Sequence, residues 1–158
     1  HRIKNRIVPN DDFQTPCQLA QCCIELIPLV NGDKVLDAAI DGGAFYKHFP
    51  TYTSKDFCSL EKHFLLYPNF VDWVITNPPY SNLDKWCEKA CSISRKGFAF
   101  LLGLHNLTPR RIEMANSYGF GLTLIYLAKV YHWYGISAFC VFERGKQNII
   151  QYSRQIWR

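Results

Sequence analysis

Apolar residues recur at helical spacing near the start of the chain. Between Thr15-Pro16 and Pro28 they lie three or four positions apart, at Leu19, Cys22, Cys23, Leu26 and Ile27. Threonine is a common N-cap residue, and proline is favoured at the first helical position. The sequence therefore predicts an amphipathic helix with Thr15 as N-cap and Pro16 at N1, which ends before Pro28 and packs by one face.

Short apolar runs alternate with helical segments through the rest of the chain. Strands are predicted around 35–36 and at 51–58, 73–76 and 97–102, with helices from about 44, 83 and 108 between them. Such alternation favours a mostly parallel sheet with helices on both faces. The last two strands, 122–130 and 137–142, are joined by a link too short for a helical crossover, so we expect an antiparallel pair.

Composition narrows the class of protein. Of 158 residues, 48% are hydrophobic and 20% charged, and 18 Lys+Arg against 13 Asp+Glu give a net charge of +5. The length and the apolar fraction predict one domain over residues 1–158. The mild excess of positive charge is compatible with an anionic partner but does not require one. No apolar stretch approaches the roughly 20 residues of a membrane span.

The chain has seven cysteines, without a CxxC pair or the spacing of zinc ligands. This pattern predicts reduced thiols and no metal site, and hence an intracellular protein (cytoplasmic, or a viral protein acting in the host cell).

The strand at 73–76 is followed directly by Asn77-Pro78-Pro79-Tyr80. Ligands of open α/β sheets bind beyond the carboxyl ends of the strands, so this loop is a candidate site. Prolines stiffen it, and we expect the Asn77 side-chain oxygen and the Pro78 carbonyl to accept hydrogen bonds from one planar NH2 group. These bonds favour a pyramidal nitrogen with an available lone pair. Tyr80 is expected to stack on the base that carries the amine; the alternative is a rigid turn with Tyr80 in the core.

This loop resembles the catalytic motif of the class I S-adenosylmethionine-dependent amino-methyltransferases, most closely their DNA adenine-N6 members. Asn77-Pro78-Pro79-Tyr80 matches that motif in full, and the predicted element order agrees over about residues 11–145. The resemblance implies a Rossmann-like fold with a mostly parallel seven-stranded sheet and one antiparallel strand. It also implies S-adenosylmethionine as cofactor. We expect no separate target-recognition domain within these 158 residues.

The resemblance assigns cofactor contacts on both sides of the first strand. Phe13-Gln14-Thr15-Pro16 resembles the family's N-terminal cofactor motif, in which the helix start lies beside the methionine carboxylate. The glycine loop after the strand contributes Asp37, Ala39 and Gly43. Asp41 stands where the family has its first glycine, so we expect its charge to weaken cofactor binding unless the loop adapts.

The family also has an acidic residue after the second strand, which binds the ribose hydroxyls. Asp56 and Glu61 are both candidates, and spacing does not choose between them. Phe64 is expected to pack on the cofactor's adenine. His63 stands where family members often have an aspartate that reads the adenine amino group, and it cannot accept in the same way.

Three functions remain open. The first is methylation of adenine N6 in DNA, and the second is methylation of RNA (guanine N2 or adenine N6), cytosine N4 or a protein glutamine. The third is a methyltransferase-like module that binds nucleic acid or a partner because its cofactor pocket is damaged. Arg110 and Arg111 open a helix on the ligand side and are candidate phosphate contacts. We expect a nucleic-acid partner, DNA before RNA, and specificity that is low or supplied by a partner subunit or a second copy.

Overall fold

The computed structural model describes residues 14–158, so Phe13 and the first residues of the expected 11–145 core lie outside it. The helices are α1 (Cys17–Glu25), α2 (Ala44–His48), α3 (Leu83–Ile93) and α4 (Pro109–Ser117). The strands are β1 (Lys34–Asp37), β2 (Ser54–Phe57), β3 (Val71–Thr76), β4 (Ser94–Gly103), β5 (Phe120–Ala128) and β6 (Ser137–Arg144). Short 3-10 turns at Phe64–Leu66, Tyr80–Asn82 and Leu104–Asn106 follow β2, β3 and β4.

The strands form one sheet in the order β2-β1-β3-β4-β6-β5. β1 pairs in parallel with β2 and β3, and β3 with β4, whereas β6 is antiparallel to both β4 and β5. This confirms the α/β class and the closing antiparallel pair. The described residues form six strands rather than the seven expected. Residues 58–70 must cross from β2 to β3, and a parallel crossover uses about a dozen residues, so no length remains for a further strand.

The start of α1 differs from the prediction. Pro16, not Thr15, is the N-cap residue, and no side chain caps this end of the helix. The expectation of a Thr15 cap with Pro16 at N1 was therefore wrong by one position. The physical reason is that the Thr15 hydroxyl bonds a distant side chain instead of a backbone N–H of the first turn.

Both faces of the sheet are buried, which explains the nearly continuous apolar run of β4. Phe98, Phe100 and Leu102 belong to the cluster under α3 and α4. The alternate residues Ala99 and Leu101 belong to the cluster under α1 and α2. Strands that are covered on both sides lose the polar alternation of a half-exposed sheet.

The segment after β6 lies against the outer edge of β5. The Ile149 N–H donates to the Leu122 carbonyl at 2.8 Å, and the Leu122 N–H donates to Asn148 Oδ1 at 2.9 Å. Gly121 allows the close approach, because a Cβ there would collide with the Lys146 backbone. Both backbone groups of Leu122 on this sheet edge are thus paired within the chain.

All seven cysteines lie within the described range, and each is a free thiol. Among residues 14–158, no helix combines the length and apolar character needed to cross a bilayer.

Candidate active site

The parallel pairing of β1 with β3 brings two loops together at the carboxyl edge of the sheet. Leu36 lies opposite Val74, so the loop after Asp37 and the loop after Thr76 leave the sheet side by side. They border an open cavity of about 710 Å³. Its wall comprises Ala38, Ala39, Ile40, Asp41, Ser59, Leu60, Glu61, His63, Phe64, Asn77, Pro79, Ser81, Asn82 and Trp86. A smaller cavity of about 190 Å³ adjoins it and shares Ala39, Ile40, Asp41 and Asn77.

The Asn77-Pro78-Pro79-Tyr80 loop contributes two residues to the larger cavity, Asn77 and Pro79. Pro78 is buried. Tyr80 is half-buried and packs against the core cluster under α3, at the start of a 3-10 turn. The structure therefore places Asn77 in the wall of the larger cavity. Tyr80 does not line this cavity, although its neighbours Pro79 and Ser81 do.

A buried hydrogen-bond network joins the two loops. The Thr76 hydroxyl donates to Asp37 Oδ1 at 2.8 Å, and the Ala39 N–H lies 3.2 Å from the same oxygen and 3.1 Å from Thr76 Oγ1. Asp37 is only 1% exposed and Thr76 is fully buried. Burial raises the pKa of Asp37 to about 7, although hydrogen bonds from Thr76 and Ala39 oppose the shift. Sequence reasoning missed Thr76, whose position directly before the Asn77 loop was the available signal.

The backbone at Asp41 has a conformation that favours glycine. Its φ is +36°, in the left-handed region that glycine adopts without cost and that aspartate tolerates better than most residues. Its side chain is exposed and lines both cavities. Gly43, at φ +77°, is the N-cap of α2 and lies outside both linings. The loop thus places the negative charge of an aspartate in a turn whose φ favours glycine.

Gln14 and Thr15 border the smaller cavity, opposite the glycine loop. The Gln14 side chain lies against Gly42, where an added Cβ would come within 3.3 Å of it. Asn77 Nδ2 donates to Thr15 Oγ1 at 3.2 Å. Pro16 does not line either cavity. The predicted N-terminal motif therefore reaches the site through its first two described residues.

The structure separates the two acidic candidates at the end of β2, Asp56 and Glu61. Glu61 lines the larger cavity, whereas Asp56 lines a different cavity at the other end of β2 and β3. Asp56 bonds Lys62 Nζ at 2.9 Å and the Tyr67 hydroxyl at 2.8 Å. Burial raises the pKa of Asp56, but these bonds outweigh it and hold the pKa below its ordinary value. The structure brings Glu61, and not Asp56, to the candidate site.

An aromatic pair closes one side of the larger cavity. Phe64 is 1% exposed, and its ring centre lies 4.8 Å from that of Trp86. His63 is exposed, and its Nδ1 accepts from the Leu65 N–H at 3.2 Å, which caps the short turn after it. Sequence reasoning placed Trp86 on a helix but did not assign it to the site. Its contact with Phe64 depends on tertiary packing that helical spacing does not reveal.

The two arginines at the start of α4 have different environments. Arg111 is mostly buried, and its Nε lies 2.9 Å from Asp84 Oδ1 while an Nη donates to the Asn106 carbonyl at 2.8 Å. Arg110 is 69% exposed and touches Asp84 only at 4.0 Å. Arg111 is held in the fold, whereas Arg110 extends into solvent.

No protein-family model matches the sequence, and no curated protein matches it. Solved structures do match the fold. One is magnesium protoporphyrin IX methyltransferase from Synechocystis with bound S-adenosylmethionine (TM-score 0.61, 9% identity, 81% of this chain and 77% of that one). A second, a putative RNA methyltransferase from Pyrococcus horikoshii, has a TM-score of 0.62 and 15% identity over 86% of this chain and 89% of that one.

A third similar structure is the E. cuniculi Mtq2–Trm112 complex, responsible for methylation of the eRF1 translation termination factor. It has a TM-score of 0.63 and 17% identity over 85% of this chain and 99% of that one. These proteins act on different substrates and share the strand arrangement. The chain therefore has the Rossmann-like fold of the class I methyltransferases.

Proposed function

We propose that the chain transfers a methyl group from S-adenosylmethionine to the exocyclic amine of a nucleobase, with adenine N6 of DNA as the leading acceptor. The observation that carries the proposal is the position of Asn77 and Pro79, which line one cavity together with the loop after β1. In the similar Synechocystis structure the same fold holds S-adenosylmethionine. An amide-bearing proline loop next to that cavity is suited to hold an NH2 group.

The residues at the cavity fit the proposed cofactor. A volume of about 710 Å³ lies within the range of roughly 300–1,000 Å³ for small-molecule sites. Glu61 offers a carboxylate to the ribose hydroxyls, and Phe64 with Trp86 offers an apolar wall to the adenine. Thr15 borders the smaller cavity, which has room for the polar amino-acid end.

The methyl acceptor would be activated by position. S-adenosylmethionine supplies a methyl group on a positively charged sulfur that an amine lone pair can attack. Asn77 Oδ1 and the Pro78 carbonyl accept the two amine hydrogens, which draws the lone pair out of conjugation and aims it at the methyl. Transfer would form the nitrogen–methyl bond as the sulfur–methyl bond breaks, leaving S-adenosylhomocysteine, and the methylated nitrogen would pass its extra proton to water. Such a step depends on orientation rather than on a covalent enzyme intermediate.

Features at the same edge of the sheet support a nucleobase as acceptor. The loop between β5 and β6 lies beside the end of β4, because the Leu104 N–H donates to the Ile136 carbonyl at 2.8 Å. In this loop Tyr131 is 88% and Tyr134 92% exposed. Exposed aromatic rings stack on unpaired bases, and Arg110 adds a cation for the phosphate backbone. Such groups suit a base that is flipped out of a helix.

The direct test is incubation with tritium-labelled cofactor and separate DNA, RNA and protein acceptors. We expect label in DNA, at adenine N6, from the wild-type chain. Asn77→Ala is expected to lose at least about 100-fold in kcat, as when a transition-state hydrogen bond is removed, with nearly unchanged cofactor affinity by calorimetry. Asn116→Ala, which removes the same kind of side chain outside both cavities, is the matched control and should retain activity.

The other outcomes identify the competing functions. Label in RNA or protein alone would contradict the DNA acceptor and keep the amine chemistry. The absence of both label and detectable binding at millimolar S-adenosylmethionine would contradict the enzyme proposal. That result would favour a module that binds nucleic acid or a partner through the methyltransferase fold, with Asp41 as the first residue to examine.

A further inference from the structure

We infer that Thr15 is a positioning residue for Asn77, fixing which end of the Asn77 amide faces the methyl acceptor. The inference rests on the proposed function. It begins from the hydrogen bond in which Asn77 Nδ2 donates to Thr15 Oγ1 at 3.2 Å, across 62 positions of sequence. This contact joins the segment before α1 to the loop after β3, the two motifs that sequence reasoning treated separately.

The orientation of an asparagine amide decides what it offers to a ligand. Its oxygen accepts hydrogen bonds and its nitrogen donates them, yet the two ends are nearly equal in size. An amine acceptor has hydrogens to give, so Asn77 is productive with Oδ1 toward the amine and unproductive when reversed. With Nδ2 bonded to Thr15, Oδ1 lies on the side of the amide away from Thr15.

Thr15 is itself held in place, so it can serve as a reference point. The Pro16 carbonyl accepts from the Ala20 N–H at 3.0 Å, which fixes the entry to α1. That helix is anchored through Ala20, Cys23 and Ile24, which are buried in the cluster under α1 and α2. On the other side, Gln14 lies against Gly42 of the glycine loop. Thr15 itself is half-buried.

The position of Thr15 at the smaller cavity gives the contact a second consequence. Thr15, Asp41 and Asn77 all line this cavity, which the proposed function assigns to the polar end of the cofactor. A threonine hydroxyl that accepts from Asn77 still has its own proton to donate. A bound cofactor that accepts a hydrogen bond from this hydroxyl would fix the orientation of the hydroxyl and, through it, that of the Asn77 amide. Cofactor binding would therefore orient Asn77 for the methyl acceptor.

The test separates orientation of the amide from cofactor binding. Thr15→Val keeps the shape and removes the hydroxyl, and Thr15→Ser restores the hydroxyl. Thr53→Val is the control, because it also removes a threonine hydroxyl bond, that to the Pro50 carbonyl at 2.6 Å, away from both cavities. At saturating cofactor, Thr15→Val should lower kcat about tenfold, equivalent to about 1.4 kcal/mol. Thr15→Ser and Thr53→Val should retain the wild-type kcat.

A second readout does not need activity. In 15N-labelled protein, the two side-chain N–H signals of Asn77, identified by their loss in Asn77→Ala, should shift and exchange faster with solvent in Thr15→Val. They should stay unchanged in Thr15→Ser and Thr53→Val.

Unchanged signals in Thr15→Val, or a kcat equal to the wild type with only the cofactor Kd raised, would overturn the inference and leave the proposed function standing. A wild-type chain that methylates no acceptor would overturn the proposed function, while the Asn77 signals would still decide whether Thr15 fixes the amide.

Discussion

Replacing Thr76 with valine removes the hydroxyl that joins the two loops of the site. The hydroxyl is fully buried, donates to Asp37 Oδ1 at 2.8 Å, and lies 3.1 Å from the Ala39 N–H. Valine has nearly the same shape, so the change leaves little cavity and mainly removes a hydrogen bond to a titrating carboxyl. The cost in stability should therefore depend on pH.

The direction follows from the pKa of Asp37, which rises from 3.8 to about 7 because of burial. The folded chain keeps this proton up to about pH 7 whereas the unfolded chain loses it near pH 4, so the free energy of unfolding falls as pH rises through this window. The Thr76 bond opposes the rise in pKa. We expect Thr76→Val to cost about 1 kcal/mol at pH 5, where the carboxyl is neutral, and about 2–3 kcal/mol at pH 8, where it is charged.

Urea unfolding at the two pH values measures this difference, and the buried Trp73 and Trp86 provide the fluorescence signal. Thr53→Val is the control, because its hydroxyl bonds a neutral backbone carbonyl and its cost should be the same at both values. A cost for Thr76→Val that does not increase between pH 5 and pH 8 would refute the assigned bond to an ionising Asp37.

Three further predictions concern the site and its surroundings. Asp41→Gly removes a charge and the Cβ that strains a residue at φ +36°, so it should raise cofactor affinity severalfold at low salt and stabilise the chain by up to about 1 kcal/mol. Equal affinity by calorimetry would mean that the loop has adapted to the charge. Glu61→Gln should weaken cofactor binding about tenfold, or about 1.4 kcal/mol, whereas the matched Asp56→Asn, in the other cavity, should leave it unchanged; the reverse result would exchange their roles. Arg110→Ala should weaken DNA binding and reduce the slope of log K against log salt concentration by about 1. Arg111→Ala breaks the contact with Asp84 and should instead lower the thermal unfolding temperature. A slope that Arg110→Ala leaves unchanged would exclude Arg110 from the phosphate contacts.

The sequence was sufficient to predict the features that depend on local pattern. The alternation of strands and helices, the antiparallel pair at the end and the loop after β3 follow from hydrophobic period and proline position, and the structure confirms the strands and their directions. The adjacency of the loops after Asp37 and Thr76 follows from the rule for open parallel sheets. These features require no knowledge of which side chains touch.

Features that depend on contacts between distant residues were not predictable in this way. Thr15 is of a residue type that is common at N-caps, but its hydroxyl accepts a hydrogen bond from Asn77 Nδ2 instead. Spacing did not choose between Asp56 and Glu61, whereas the structure shows Asp56 bonded to Lys62 and Tyr67 and lining a different cavity from Glu61. In each case the partner of a polar side chain is set by tertiary packing, which the local sequence pattern does not reveal.

The segment that follows β6 covers part of the free edge of β5, the outermost strand. A protein shortened after Gly145 would lose the Ile149 and Asn148 partners of Leu122 and leave two peptide groups of that strand bare. Bare strand edges recruit other chains, so the shortened protein should self-associate although every residue around the cavities is retained.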